Sequence, residues 1–210
     1  MGQDPKRVVE TGYDRIAERY LGWMGEIRDD ARIRFLGEVI AGLPERATVL
    51  DLGCGAGIPC TAALAEHADV VGVDLSARQL ELARARVPGA RFVRADIGTV
   101  DFRRASFDAV TAFYSIAHLP RAEHGALFRR IAGWLRPGGR FAASLGSGND
   151  EGAVDDWLGV PMYFSSYDAA TNRRLLSEAG LEPTIDEVVA LHEPEGPAVF
   201  QWVVAAKPFG

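Results

Sequence analysis

From about residue 48 to residue 145, apolar and polar positions fall into two kinds of segment that alternate along the chain. Short stretches at 48–52, 70–74, 91–94, 107–114 and 139–145 read as strands, and several are near-continuous apolar runs, the pattern of a strand covered on both faces. Between them, about 58–67, 76–86 and 121–135 read as helices; the third carries Leu127, Phe128, Ile131 and Leu135 on one stripe. Strand and helix in strict alternation are what parallel βαβ units produce. Ser76 and Gln79 have the spacing of a capping box, and Leu75 and Leu80 that of a hydrophobic staple, so the second helix starts just after Ser76. Arg136-Pro137-Gly138-Gly139 stops the third helix and turns the chain into the next strand.

Two helical patterns precede this block. Val9, Tyr13, Ile16, Ala17, Tyr20 and Met24 recur at 3–4 spacing, and so do Phe35, Leu36, Val39, Ile40 and Leu43. Behind it, 146–167 reads as irregular, and a helix over 168–179 ends at Gly180, a C′ glycine. Two last strands, 184–191 and 198–206, are separated by only His192-Glu193-Pro194-Glu195-Gly196-Pro197. They must pair antiparallel, because a parallel crossover needs a dozen residues or more. At 210 residues, with no repeat and no linker, the chain reads as one domain against a prior of ~150 residues per domain.

Charge narrows the classes of function. The net charge of −6 has the wrong sign for holding a phosphate backbone, so a nucleic-acid partner is not expected, and it offers no basic face to anionic lipid. The start, Met1 to Lys6, lacks the apolar stretch of a secretory signal, and Lys6 stands where a myristoylation signal has Ser or Thr. No run approaches 18 apolar residues, so no membrane association is expected and the expected location is cytoplasmic. Two cysteines, Cys54 and Cys60, make neither a disulfide framework nor a zinc site on their own.

The segment richest in chemistry is Val49-Leu50-Asp51-Leu52-Gly53-Cys54-Gly55-Ala56-Gly57: a strand, glycines at alternate positions, then a helix start. Glycine there lets a ligand touch backbone, and at the carboxyl edge of a first parallel strand it makes a nucleotide-type cleft. Asp74 ends the second strand, 21 residues after Gly53, where a carboxylate can accept both hydroxyls of a ribose. Asp96 follows the third strand and puts a second acceptor on the same edge. A dinucleotide fingerprint would place glycine at position 58, which is Ile58, and Asp51 beside the loop would repel a pyrophosphate while suiting a cationic amine. The ligand these residues describe is an adenosine without phosphates, bearing a positive arm.

In these segments the chain closely resembles the class I S-adenosylmethionine-dependent methyltransferases, especially their small-molecule branch. Residues 49–57 look like motif I, Val-Gly-Val-Asp-Leu-Ser (71–76) like the ribose segment and Arg-Ala-Asp-Ile (94–97) like the adenine-edge motif. Phe-Asp-Ala-Val (107–110) resembles the start of strand four, and Leu-Arg-Pro-Gly-Gly-Arg-Phe (135–141) the turn into strand five. Tyr13-Asp14 with Ala17 and Tyr20 is similar to a cofactor-capping N-terminal helix. The resemblance implies a single-domain, Rossmann-like α/β fold: a seven-stranded, mostly parallel sheet with an antiparallel last strand and helices on both faces. Within it, 1–45 would be cap helices, 46–145 the cofactor-binding core, 146–167 a substrate-side insertion and 168–210 the C-terminal helix and strand pair. It implies S-adenosyl-L-methionine as cofactor, S-adenosyl-L-homocysteine as product and no metal. Asp51, Gly53, Cys54, Gly55 and Gly57 would face the methionine arm, Asp74 and Leu75 the ribose, and Asp96 with Ile97 the adenine; Tyr13, Tyr20 and Tyr114 complete the cofactor contacts.

The implied reaction is methyl transfer to an O, N or C atom of a small metabolite, by in-line displacement in a monomer or homodimer. Alignment should carry most of the rate, ~7–11 kcal/mol by effective-molarity arguments. A base, worth ~10²–10⁴-fold, is needed only when the acceptor must lose a proton. Of the four histidines, His118 lies on the cleft edge as the candidate base or substrate contact; His192 beside Glu193 is a second, while His67 and His124 read as surface residues. Tyr20, Trp23, Trp157, Met162, Tyr163, Phe164 and Tyr167 are the expected walls of an apolar or aromatic acceptor pocket. Phe113-Tyr114-Ser115-Ile116 replaces the Asn/Asp-Pro-Pro-Tyr element of nucleic-acid amino-methylating enzymes. No cysteine beyond the glycine loop supports arsenic chemistry, and no metal cluster like that of a catechol O-methyltransferase stands out. Two other readings are a nicotinamide-dependent oxidoreductase, NAD or NADP, and a non-catalytic protein that binds the same cofactor.

Overall fold

The computed structural model describes residues 4–209; the first three residues of the segment read for a leader lie outside it. In chain order the elements are α1 (Pro5–Met24), α2 (Arg32–Ile40), β1 (Ala47–Leu52), α3 (Cys60–Ala65), β2 (Ala68–Asp74), α4 (Ala77–Arg86), β3 (Arg91–Arg94) and β4 (Phe107–Ala112). They continue with α5 (His124–Trp134), β5 (Leu135–Gly146), β6 (Glu151–Trp157), β7 (Val160–Ser165), α6 (Ala169–Glu178), β8 (Glu182–Glu193) and β9 (Gly196–Ala206).

Seven strands form one sheet in the order β3-β2-β1-β4-β5-β9-β8. β1 to β5 run parallel, and β9 enters antiparallel between β5 and β8. The expected fold class is therefore the one found, with its antiparallel last strand. Alternate residues of each strand supply two separate cores. Leu50, Leu52, Phe141, Ala143 and Leu145 point to the side covered by α5 and α6, where Leu127, Phe128, Ile131 and Leu176 meet them. Val49, Ala109, Ala142 and Val204 point the other way, against Phe35, Leu36 and Val39 of α2 and Leu64 of α3. A core on each face is what near-continuous apolar strands require.

The topology reverses between β1 and β4, β1 leading out to β2 and β3 while β4 leads to β5. That switch point at the carboxyl ends of the strands is where an open α/β sheet leaves a crevice.

Three expectations change, the first being that α5 stops at Trp134, so that Leu135, read onto its apolar stripe, opens β5. The segment 146–167 is a β-hairpin, β6 paired antiparallel with β7, set apart from the main sheet. Its first strand, Glu-Gly-Ala-Val-Asp-Asp-Trp, is exposed along nearly its whole length and so shows no apolar alternation. The hairpin docks through β7 onto α1, where a Cβ on Gly12 would lie 2.7 Å from Met162 Cε; glycine is what permits the approach. The fourth strand ends at Ala112 rather than 114, because Tyr114 turns out of it with φ 55°.

The capping box at α4 forms by half. Ser76 Oγ accepts from the Gln79 amide (3.1 Å) and donates to Asp14 of α1 (2.6 Å), which also accepts from the Arg78 amide (3.1 Å). The cap thus ties α4 to the N-terminal helix. Ser76→Ala is expected to cost about 1–2 kcal/mol and to lower Tm by roughly 2–8 °C; an unchanged melting curve would remove this cap from the stabilising contacts.

Candidate active site

The turn after β1 is held by the neighbouring strand: the amides of Gly53 (2.7 Å) and Cys54 (3.0 Å) both donate to the Val73 carbonyl. Gly53 and Gly55 have φ of 71° and 53°, the left-handed region that glycine enters without a Cβ clash. The Gly55 amide donates to Asp74 Oδ2 (2.9 Å) and the Ser76 amide to Oδ1 (2.9 Å), so two fixed dipoles aim the carboxylate. Each oxygen keeps a lone pair. Burial pushes the Asp74 carboxyl up to about 6 despite those amides.

Asp74, Leu75, Asp96, Ile97, Tyr13 and Tyr20 line one cleft with Gly53 and Gly55, of about 640 Å³ including its open mouth. Asp96 Oδ1 accepts from the Gly98 amide (2.7 Å), and Oδ2 pairs with Lys6 (2.8 Å), which also reaches Glu123 (2.7 Å). The cleft continues into a smaller hollow beside the glycine loop, lined by Asp51, Cys54, Arg32 and Gln79 among others. Asp51, 2% exposed, accepts from the hydroxyls of Thr61 (2.6 Å) and Thr111 (2.8 Å); burial raises its pKa and those hydrogen bonds oppose the rise. Burial also raises the Cys54 and Cys60 thiols, so neither is a thiolate nucleophile at neutral pH.

A third hollow opens on the other side of Tyr13 and Tyr20, about 780 Å³ including its mouth. Trp23, Trp157, Phe164 and Phe200 wall it, together with Tyr114, His118 and Glu193. His118 stands where this hollow meets the cleft. Its Nδ1 faces the Tyr163 carbonyl (2.9 Å), which can only accept, so Nδ1 carries the proton and Nε2 accepts from the Tyr13 hydroxyl (2.7 Å). Burial lowers its pKa to about 4, so the ring is neutral at physiological pH.

The structure therefore brings Tyr13, Tyr20, Asp51, Gly53, Cys54, Gly55, Asp74, Leu75, Asp96, Ile97, Tyr114, Trp23, Trp157 and His118 to one connected space. Four expected site residues lie elsewhere. Gly57 faces α4, where a Cβ would meet Val87 at 3.1 Å and Ala83 at 3.3 Å; it is a packing glycine. Met162 is fully buried behind α1. The Tyr163 hydroxyl donates to Glu151 (2.5 Å), and only its carbonyl reaches the site. The Tyr167 ring sits against Arg121 and His124. The hairpin explains Met162 and Tyr163, since neighbouring residues of β7 point to opposite faces, and Tyr167 lies past its end. His124, read as a surface residue, is buried, with Nε2 on the Leu119 carbonyl (3.0 Å); His192 is exposed and pairs with Asp29.

Arg32 and Gln79 were not legible as site residues. Gln79, 1% exposed, has neither amide atom hydrogen-bonded, and Arg32 Nε is likewise buried without a partner. Such orphans cost roughly 1–3 kcal/mol each. Their position along the cleft fits a polar ligand that satisfies them, and the Gly53 turn, which a Cβ would fill, leaves backbone open to it. Phosphate-free adenosine with a charged amino-acid arm matches this set of donors and acceptors.

Comparison with known proteins bears on the same residues. A family model described as a methyltransferase domain matches residues 49–139. A trans-aconitate 2-methyltransferase of Methylobacterium radiotolerans is 38% identical over 121 residues, 56% of this chain and 45% of that one. One from Escherichia fergusonii is 30% identical over 179 residues, 75% of this chain and 66% of that one. The chain spans about half the length of the first curated relatives it matches. Among solved structures, 1,6-didemethyltoxoflavin-N1-methyltransferase of Burkholderia thailandensis, with its substrate and S-adenosylhomocysteine bound, superposes with a TM-score of 0.73. That match is 22% identical and covers 96% of this chain and 88% of that one.

Proposed function

Because the chain belongs to the class I S-adenosylmethionine-dependent methyltransferases, we propose that it methylates a small apolar or aromatic metabolite seated in the hollow beside Tyr13 and Tyr20. The observation that carries the reading is the convergence of the glycine turn, Asp74 and Asp96 on one cleft that opens directly into an aromatic hollow. S-adenosylmethionine, when bound, supplies a methyl group activated on a sulfonium. Asp74 would take the ribose hydroxyls, Asp96 and the Ile97 amide the adenine edge, and the Gly53–Gly55 backbone with Arg32 and Asp51 the methionine arm.

Alignment is the main service the protein renders, because the leaving group is already charged. Tyr13 and His118 form the shared wall of cleft and hollow, and a proton leaving an acceptor has a built path from the Tyr13 hydroxyl to His118 Nε2. With its pKa lowered to about 4, His118 acts more by fixing that hydroxyl than by abstracting a proton. Small acceptors named for the relatives, trans-aconitate and 1,6-didemethyltoxoflavin, support a small-molecule partner. None of the described helices is long and apolar enough to cross a membrane. Two free, buried cysteines are in keeping with a reducing, cytoplasmic setting.

The test is a library of small aromatic metabolites incubated with the protein and S-adenosylmethionine, with release of S-adenosylhomocysteine as the readout. The expected result is one or a few related compounds giving turnover above the acceptor-free rate. Cofactor binding without turnover on any of them would favour the non-catalytic reading.

A further inference from the structure

The aromatic hollow holds a charge that neither the cofactor contacts nor the fold uses. Glu193, at the end of β8, is half-buried and lines the hollow. Among the described residues its carboxylate has no hydrogen-bond partner and no cation; the charged group acting on it is Glu195, of the same sign. Burial and that neighbour both push its carboxyl above the ordinary range. Glu195 is itself engaged, accepting from Trp23 Nε1 at 2.9 and 2.8 Å.

The surrounding side chains point the same way. Tyr20 and Trp23 stack with centroids 5.9 Å apart, and Trp157 stands within 5.7 Å of both. Among the described residues, no lysine or arginine lines the hollow. The Arg32 guanidinium lies over the Tyr114 ring and is paired with Asp30. Ring faces carry negative charge density and attract organic cations, and an unpaired carboxylate beside them adds to that attraction while repelling anions.

Resting on the methyl-transfer reading above, we propose that the acceptor is an organic amine whose ammonium is held by Glu193 beside the Tyr20, Trp23 and Trp157 rings, and that carboxylate-bearing acceptors are excluded. Glu193 is thus the residue that selects the acceptor by charge, while the aromatic rings take its apolar body.

Two probes that share a phenylethyl body and carry opposite charge test this. Protein is first titrated with S-adenosylhomocysteine; 2-phenylethylamine or 3-phenylpropionate is then added to the complex while the fluorescence of the tryptophans is followed. The amine is expected to bind at least about tenfold more tightly than the carboxylate. Glu193→Gln, nearly isosteric, should cut amine affinity by at least about tenfold and leave S-adenosylhomocysteine binding unchanged. Equal affinities, preference for the carboxylate, no amine binding at about 10 mM, or an unaltered Glu193→Gln variant would overturn the assignment. Failure to bind S-adenosylhomocysteine in the first titration would instead bring down the methyl-transfer reading on which it rests.

Discussion

Gly53→Ala is expected to weaken S-adenosylhomocysteine binding by at least about 100-fold. The residue sits at φ 71°, where an L side chain costs about 1–2 kcal/mol. The added Cβ would lie 2.2 Å from Ser115 Cβ and 3.4 Å from its Cα. Ser115 cannot yield freely, since its hydroxyl donates to the Leu52 carbonyl (2.8 Å) and a typical hydrogen bond contributes about 1 kcal/mol. Strain, clash and lost hydrogen bond together come to roughly 3 kcal/mol, a factor of about 100. The strain falls on the turn whose amides present the cleft, so binding suffers before the sheet does. Combining Gly53→Ala with Ser115→Gly removes the clash and should recover about tenfold of the loss. Normal affinity in Gly53→Ala would show that the ligand does not dock against this turn.

The second large effect is at Asp74. Loss of a charge-assisted acceptor costs roughly 1.5–3 kcal/mol, so Asp74→Ala should weaken the same ligand by ~10–100-fold. The pH dependence has a definite sign. The carboxylate is the form that accepts hydroxyls, and burial has pushed its pKa up to about 6, so affinity is full above that value and falls as pH drops through it. Roughly tenfold should be lost between pH 7.5 and pH 5. Asp74→Asn cannot titrate and should bind weakly and equally at both. A pH profile identical in wild type and Asp74→Asn would remove the ribose assignment.

What could be read in advance and what could not divide along physical lines. Strand ends at Leu52, Asp74 and Arg94 and the antiparallel β8–β9 pair follow from local rules: apolar runs bounded by glycine or aspartate, and a loop too short for a crossover. Site residues carried on those strand ends were legible for the same reason, because a sheet's carboxyl edge puts them in one place whatever their sequence separation. The hairpin was hidden because β6 buries nothing, so its sequence carries no two-residue period. That omission misplaced Met162 and Tyr163, since of the neighbouring side chains on β7 it is Phe164 that lines the hollow, while Tyr167 lies beyond the strand. Arg32 and Gln79 escaped for another reason. Gln79 has the spacing of a capping partner, yet its side-chain amide makes no hydrogen bond, and nothing local distinguishes Arg32 from a solvated helix residue. Only the packing of α1 and α2 over the cleft reveals either. Glu193 stood in plain view beside His192, and its lack of a cation among the described residues became visible only with its neighbours in place.

Whether the cleft holds a phosphate-free adenosine is decided by calorimetric titration of the chain with S-adenosylhomocysteine and, separately, with NADH. One equivalent of S-adenosylhomocysteine should bind with saturable heat, and NADH should neither bind nor compete. NADH occupying the cleft, or no heat with either compound, would contradict the account.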